Sequence, residues 1–541
     1  MPRLPAISIL AWCLAGATAL FLLALATADE RARSLWFNSL FLGGCVAAIA
    51  VPSGTLLALL IGRCELPGRW LAIPLLAFAL FLPLYLHAAG WQAGFGTQGW
   101  FTLFFWPEGI PPPLFAWRGA ILIHSLVAIP WTTLLIAAGL SQLPAEPEEG
   151  AAIEGGTFAS LMYVTLPLLA PQIALATLWV VVSTIAEMTV TDLFAVRTIA
   201  EEVFLGFARD SLEDVELAVV PAIAGIGCLV LAAAIVAMGV APWEASAREP
   251  RRWKLGWLRF PASAAVLLGA GLLVGVPLAN LAAKGGWLVV GEGEARMRTW
   301  SAAALWQVIV STPRHYAEEI GASLRMGIAA ASLAWLFAIP AWWGRRGWGS
   351  GAVLSLAAIG LAIPGPFIGL ALIQAFNHPD VPWLHPLYNH SVLVPMIAQM
   401  VRAFPLVLLL VWQAFASLPR EIEELASLDG AKLPALWGQV VFPMRWPALT
   451  CAWIAGLALA MGDLAGSVLV KPPGVNTVSW QVFELLHSGV DDRLAGLCIV
   501  WSGLFALITG AAILCYQWQR DEKLQENIAR NQSAGDGARP L

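Results

Sequence analysis

Four ionisable side chains and one hydroxyl interrupt or border long apolar stretches of the sequence: Glu187, Asp192, Arg402, Asp463 and Ser467. A charge in an apolar surrounding is costly unless it is paired or wetted, so such residues suggest a passage for polar solutes. Arg402 is a candidate partner for Glu187 or Asp463, and an interior ion pair is the competing reading. Covalent chemistry has no foothold. The chain contains no His-Glu-x-x-His, no Gly-x-Ser-x-Gly and no Cys-x-x-Cys, so an intramembrane enzyme finds no support. His378, His385, His390 and Asp380 share one segment, but their spacing fits no tight ligand motif and no metal site is expected.

A second group of charges forms a pattern. Leu143-Pro-Ala-Glu-Pro-Glu-Glu-Gly-Ala-Ala-Ile-Glu-Gly155-Gly and Leu418-Pro-Arg-Glu-Ile-Glu-Glu-Leu-Ala-Ser-Leu-Asp-Gly430-Ala lie 275 residues apart and are identical at seven of fourteen positions. Chance would supply about one match. The chain therefore reads as a duplication. Proline and early carboxylates suit a first helical turn, and glycine suits a left-handed turn that ends a helix. Each copy is thus expected to form a short helix, a tight turn at Gly155 or Gly430, and a second helix running into Pro167 or Pro443. Small residues at Ala151, Ala152, Ala426 and Ser427 would let the first helix lie close against a partner.

The elements that hold these groups follow from composition. Hydrophobic residues make up 59% and charged residues 12% of the chain, and mean hydropathy is +0.75; soluble chains have about 25% charged residues. Apolar runs of about 20 residues, enough to cross about 30 Å of hydrocarbon, recur throughout. Twelve are expected, near residues 6–28, 36–61, 70–90, 119–140, 168–190, 217–241, 258–282, 320–343, 351–376, 391–416, 447–470 and 494–516. The fold class is therefore an all-α polytopic membrane protein with about 12 transmembrane helices in two parallel six-helix repeats. The first repeat spans 1–245, a cytoplasmic linker 246–257, the second repeat 258–518 and a polar tail 519–541. The first apolar run exceeds a usual signal core, so it is expected to remain as an uncleaved helix.

With both termini in the cytoplasm, seventeen Lys and Arg residues fall in inside loops and eleven in outside loops. Both repeated segments are then cytoplasmic. An even number of spans per repeat makes the halves parallel, related by an axis along the membrane normal and enclosing a path. Weaker matches agree: Asn38-Ser-Leu with Ala322-Ser-Leu, Leu82-Pro83 with Ile363-Pro364, Ile129-Pro130 with Phe404-Pro405, and Glu187 with Asp463. The cysteines lie mostly within spans, so neither disulfides nor structural zinc are expected. The 27 tryptophans are read as interfacial anchors.

The pattern Glu-Glu-x-Ala-x-x-Asp/Glu-Gly followed by Leu-Pro or Phe-Pro resembles the coupling loop of binding-protein-dependent ABC importer permeases. Gly462 to Val478, Ala362-Ile-Pro-Gly-Pro-Phe and Val401-Arg-Ala-Phe-Pro look like the fused permeases of the ferric-iron group, to which thiamine carriers are related. The first loop departs from the pattern at Pro147, Gly150 and Gly156. The resemblance implies that Glu148, Glu149, Ala152, Glu154 and Gly155, with Glu423, Glu424, Ala426, Asp429 and Gly430, dock on cytoplasmic ATPase subunits, two copies in all. It also implies an outer substrate-binding protein that meets residues 91–117 and 377–390, a bacterial inner-membrane location and ferric iron as substrate. No Gly-x-x-x-x-Gly-Lys-Ser/Thr is present. No cofactor is therefore expected on this chain, ATP and Mg being used by the partner, and no nucleic acid is implied. A secondary transporter could share the two-half architecture but leaves the repeated loop unexplained.

Overall fold

The computed structural model describes residues 26, 29–208, 252–290 and 297–536. It is all-α apart from one hairpin, in which β1 (Trp287–Val290) pairs antiparallel with β2 (Met297–Trp300) in the register Trp287 to Trp300. Among the described residues, eight helices are long and apolar enough to cross a membrane, or up to ten if each of two bent pairs forms one span. The protein is polytopic. Ten of the twelve expected spans fall on these helices or bent pairs. The expected spans 6–28, save Ala26, and 217–241, and the first half of the linker, lie outside the described residues.

Two expected straight spans are corrected. Residues 70–90 and 351–376 are each broken, the first between α2 (Arg69–Phe81) and α3 (Leu84–Phe95), the second between Gly349–Ala362 and Gly365–Phe376, with bends of 103° and 94°. The cause is local. Leu82 and Ile363 precede prolines and take extended ψ of 120°, because a proline ring disfavours helical backbone in the residue before it. Both breaks fall on the matched Leu82-Pro83 and Ile363-Pro364 pairs.

Other features recur at matched positions. Ser39 accepts the Ile199 amide at 3.1 Å, and Ser323 accepts the Val478 amide at 2.8 Å. Each thereby satisfies an amide that a helix start leaves without a backbone partner. A single π-helical turn occupies residues 161–165 and another 437–441, each directly before Leu166-Pro167 or Phe442-Pro443. The core is continuous between distant parts of the chain: Trp501 donates to the Tyr85 hydroxyl at 2.9 Å within a buried cluster that includes Leu86, Leu281 and Phe505.

Candidate functional site

The first repeated loop forms a helix over Ala145–Ser160, which runs through the π turn into a span ending at Ile185. The second forms a helix over Arg420–Leu428, an open turn, and a short helix over Leu433–Leu436 that enters the π turn and the span Phe442–Gly462. Gly430 has φ of +76°, as expected of a turn glycine. In the first loop the left-handed glycine is Gly156, at φ +79°, and not Gly155. A Cβ at Gly155 would lie 2.6 Å from Ala159 Cβ, whereas one at Gly156 would meet open space. Gly155 stays in the helix, and the extra flexible residue moves the kink one position along.

Each loop has an inner and an outer face. On the inner face are Glu148 and Glu423, which occupy the same place in the repeat. Glu148 Oε2 lies 3.1 Å from Arg63 Nε, with both side chains about 5% exposed. Its Oε1 accepts from Thr165 at 2.9 Å and its carbonyl from Ser160 at 2.9 Å. Glu423 meets Arg345 at 2.5 Å and Arg346 at 2.9 Å. These two expected docking residues therefore turn toward the bundle. The outer face carries Glu154, Glu424 and Asp429, all exposed, with Glu149, Ala152 and Ala426 half-buried. At equivalent apical positions Ile153 is 86% and Leu428 82% exposed. Phe158 in the first loop and Leu425 in the second are exposed as well, so each loop carries more than one large apolar side chain on its outer surface.

The proposed path residues do not converge on one point. Glu187 accepts the Thr189 and Val190 amides at 2.6 and 3.0 Å, and one of its oxygens lies 3.3 Å from His124 Nε2. Asp463 accepts the Gly466 amide at 3.4 Å, and Ser467 donates back to the Asp463 carbonyl and accepts from Trp480. Both carboxylates thus lie just past the end of a span and accept amides of the segment that follows it. Arg402 donates to the Ile363 carbonyl at 3.2 Å, at the second bend. The bend gives the guanidinium a backbone acceptor, and the same charge acts on Asp463. Asp192 instead meets His487 at 3.0 Å, and this hydrogen bond raises the histidine pKa. His124 and His487 were not singled out by sequence because their partners lie 63 and 295 residues away.

His378 faces Asp380 at 3.6 Å, while His385 and His390 line a separate cleft with Asn389, Pro472 and Pro473. Among the described residues, no three His, Cys, Asp or Glu side chains come together as metal ligands.

No family model matches the chain. It is similar to a putative 2-aminoethylphosphonate transport system permease protein of Salmonella paratyphi A, 27% identical over 147 residues, covering 27% of this chain and 54% of that protein. It is also similar to a ferric transport system permease protein of Actinobacillus pleuropneumoniae, 24% identical over 165 residues, covering 30% and 22%. A putrescine transport system permease protein of Escherichia coli is 25% identical over 178 residues, covering 32% and 61%. In each case the matched part is less than two thirds of the relative. The three are named for chemically different solutes, and what they share is being transport permeases.

Proposed function

We propose that this chain is the membrane-spanning permease of an ATP-driven ABC importer, built as two parallel, pseudo-symmetric halves in a bacterial inner membrane with both termini cytoplasmic. The observation that most supports this reading is the recurrence of one loop design, with Ile153 and Leu428 exposed at matched apices above inward-turned Glu148 and Glu423. A secondary transporter has no use for two such docking faces. Separate ATPase subunits, one under each loop, would hydrolyse Mg-ATP, and an outer binding protein would deliver the solute. Hydrolysis-driven motion of the loops would then open the halves alternately to each side.

Ferric iron is the substrate we favour, on the resemblance of the Gly462 to Val478 stretch and the name of one relative. A trivalent ion needs acidic or hydroxyl groups along its route, and Glu187, Asp192, Asp463 and Ser467 are the candidates. Thiamine is the main competitor. The experiment is co-purification of the full chain with the ATPase encoded beside its gene, followed by vesicle uptake with the cognate binding protein. ATP-dependent uptake is expected. Uptake driven by a proton gradient without ATPase would overturn the permease assignment, whereas thiamine binding without ferric-iron binding would overturn only the substrate.

A further inference from the structure

The same inner-face geometry occurs in both loops, and its basic partners have no assigned role. Arg63 is the last residue of α1 (Glu30–Arg63). Its guanidinium holds Glu148 and also donates to the Leu140 carbonyl at 2.8 Å, where the preceding span ends. Its carbonyl accepts the Trp253 amide at 2.7 Å, so the segment joining the two halves is tied to the same residue. In the second half, Arg346 holds Glu423 and donates to the Leu418 carbonyl at 3.2 Å, again just after a span. Arg345 holds the same carboxylate while lying 3.3 Å from the centre of the Trp342 ring. Trp342 packs edge-on against Phe415 and Trp437, and Trp437 opens the π turn after the loop.

Each arginine or arginine pair therefore joins three pieces: the end of one span, the end of the span before the loop, and the loop helix itself. A planar fork with several donors suits this better than a point charge. A loop tied to its spans only by a turn could tilt without moving them. One held by a charge-assisted clasp cannot tilt independently unless the clasp breaks.

We infer that Arg63, and Arg345 with Arg346, are positioning residues that make each docking loop and its neighbouring spans move as one body, so that motion imposed on the loop reaches the membrane. The transmission part of this inference rests on the proposed ATPase docking. The clasp itself does not.

The test uses the full chain in lipid nanodiscs, alone and with its co-purified ATPase, and reads amide hydrogen exchange. In the chain alone, Arg63→Gln should speed exchange in residues 145–160 at least tenfold while leaving 393–416 unchanged, and Arg63→Lys should have a smaller effect. Exchange within twofold of wild type in Arg63→Gln would overturn the clasp. Should Arg63→Gln fail to fold, the half-exposed double variant Arg345→Gln/Arg346→Gln carries the same test on residues 420–436. In the complex, Mg-ATP with orthovanadate should change exchange in the loops and spans of wild type, but only in the loops of the variants. Equal span responses in variant and wild type would overturn transmission. Failure of wild type to capture any ATPase would instead sink the proposed function and leave the exchange result on the isolated chain standing.

Discussion

The two repeated loops share seven of fourteen residues and the same inward-turned glutamate, yet the protein holds them differently. In the first, the Arg63 and Glu148 side chains are almost fully buried, two hydroxyl groups complete the carboxylate's and its peptide's hydrogen bonds, and the helix continues past a kink at Gly156 into the span. In the second, Glu423, Arg345 and Arg346 keep 12–29% of their side-chain surface exposed, an open turn at Gly430 separates two short helices, and an aromatic cluster backs the clasp. A buried pair resists opening because each charge left alone would be stranded away from water, whereas a half-exposed pair can exchange partners with solvent. The first loop is thus the stiffer strut and the second the more adjustable one.

The largest expected effect comes from removing the inner carboxylates. Glu148→Ala should destabilise the chain by about 3–5 kcal/mol, because it strands a buried guanidinium, while Glu423→Ala should cost about 1 kcal/mol. Denaturation in mild detergent measures both, and equal losses would show that burial does not distinguish the loops. Next in size are the turns. Gly430→Val and Gly156→Val force a β-branched residue into the left-handed region at about 1–2 kcal/mol each, and should weaken ATPase capture without preventing membrane insertion. Gly155→Val should disturb the first helix through Ala159 and not through its turn; a helix signal unchanged in that variant contradicts the placement of the kink.

Smaller still in stability terms are the apices. Ile153→Asp and Leu428→Asp should each alter stability by less than about 0.5 kcal/mol, as exposed substitutions do, yet reduce ATPase capture, the second loop tolerating the change better because it is more adjustable. Undiminished capture by the double variant would remove the apices from the docking face. The last prediction changes nothing in the fold: single cysteines at Glu149 and Glu424, in a background without native cysteines, should label only from the cytoplasm, and cysteines at Gln98 and Asp380 only from outside. Labelling of the two loops from opposite sides would dismantle the parallel arrangement on which their comparison rests.

Much of the architecture was legible from local signals. Apolar length located ten helices or bent pairs, and the Leu82-Pro83 and Ile363-Pro364 matches sat where both spans break, although proline alone did not reveal that the chain would turn through about a right angle. The loop glycines were legible to within one residue. Gly155 and Gly156 are adjacent and both compatible with a turn, and only the folded backbone, with φ of +79° at Gly156, distinguishes them. The path residues were recognised by charge in apolar surroundings but not by hydrogen-bond partner, since His124, His487 and the Ile363 carbonyl are brought to them by packing.

Composition and repetition by themselves determined that this is a helical membrane protein with two copies of one charged loop, because hydrophobic length and residue identity are properties of the chain whatever its fold. Which glutamate faces the bundle, which arginine holds it and how deeply each pair is buried were decided only by tertiary structure. Arg63 and Glu148 are 85 residues apart, and Glu423 lies 78 and 77 residues from its two arginines. Over such separations no local preference selects a partner, and the energy of a charge pair depends on the surrounding protein and water, which exist only once the helices have packed.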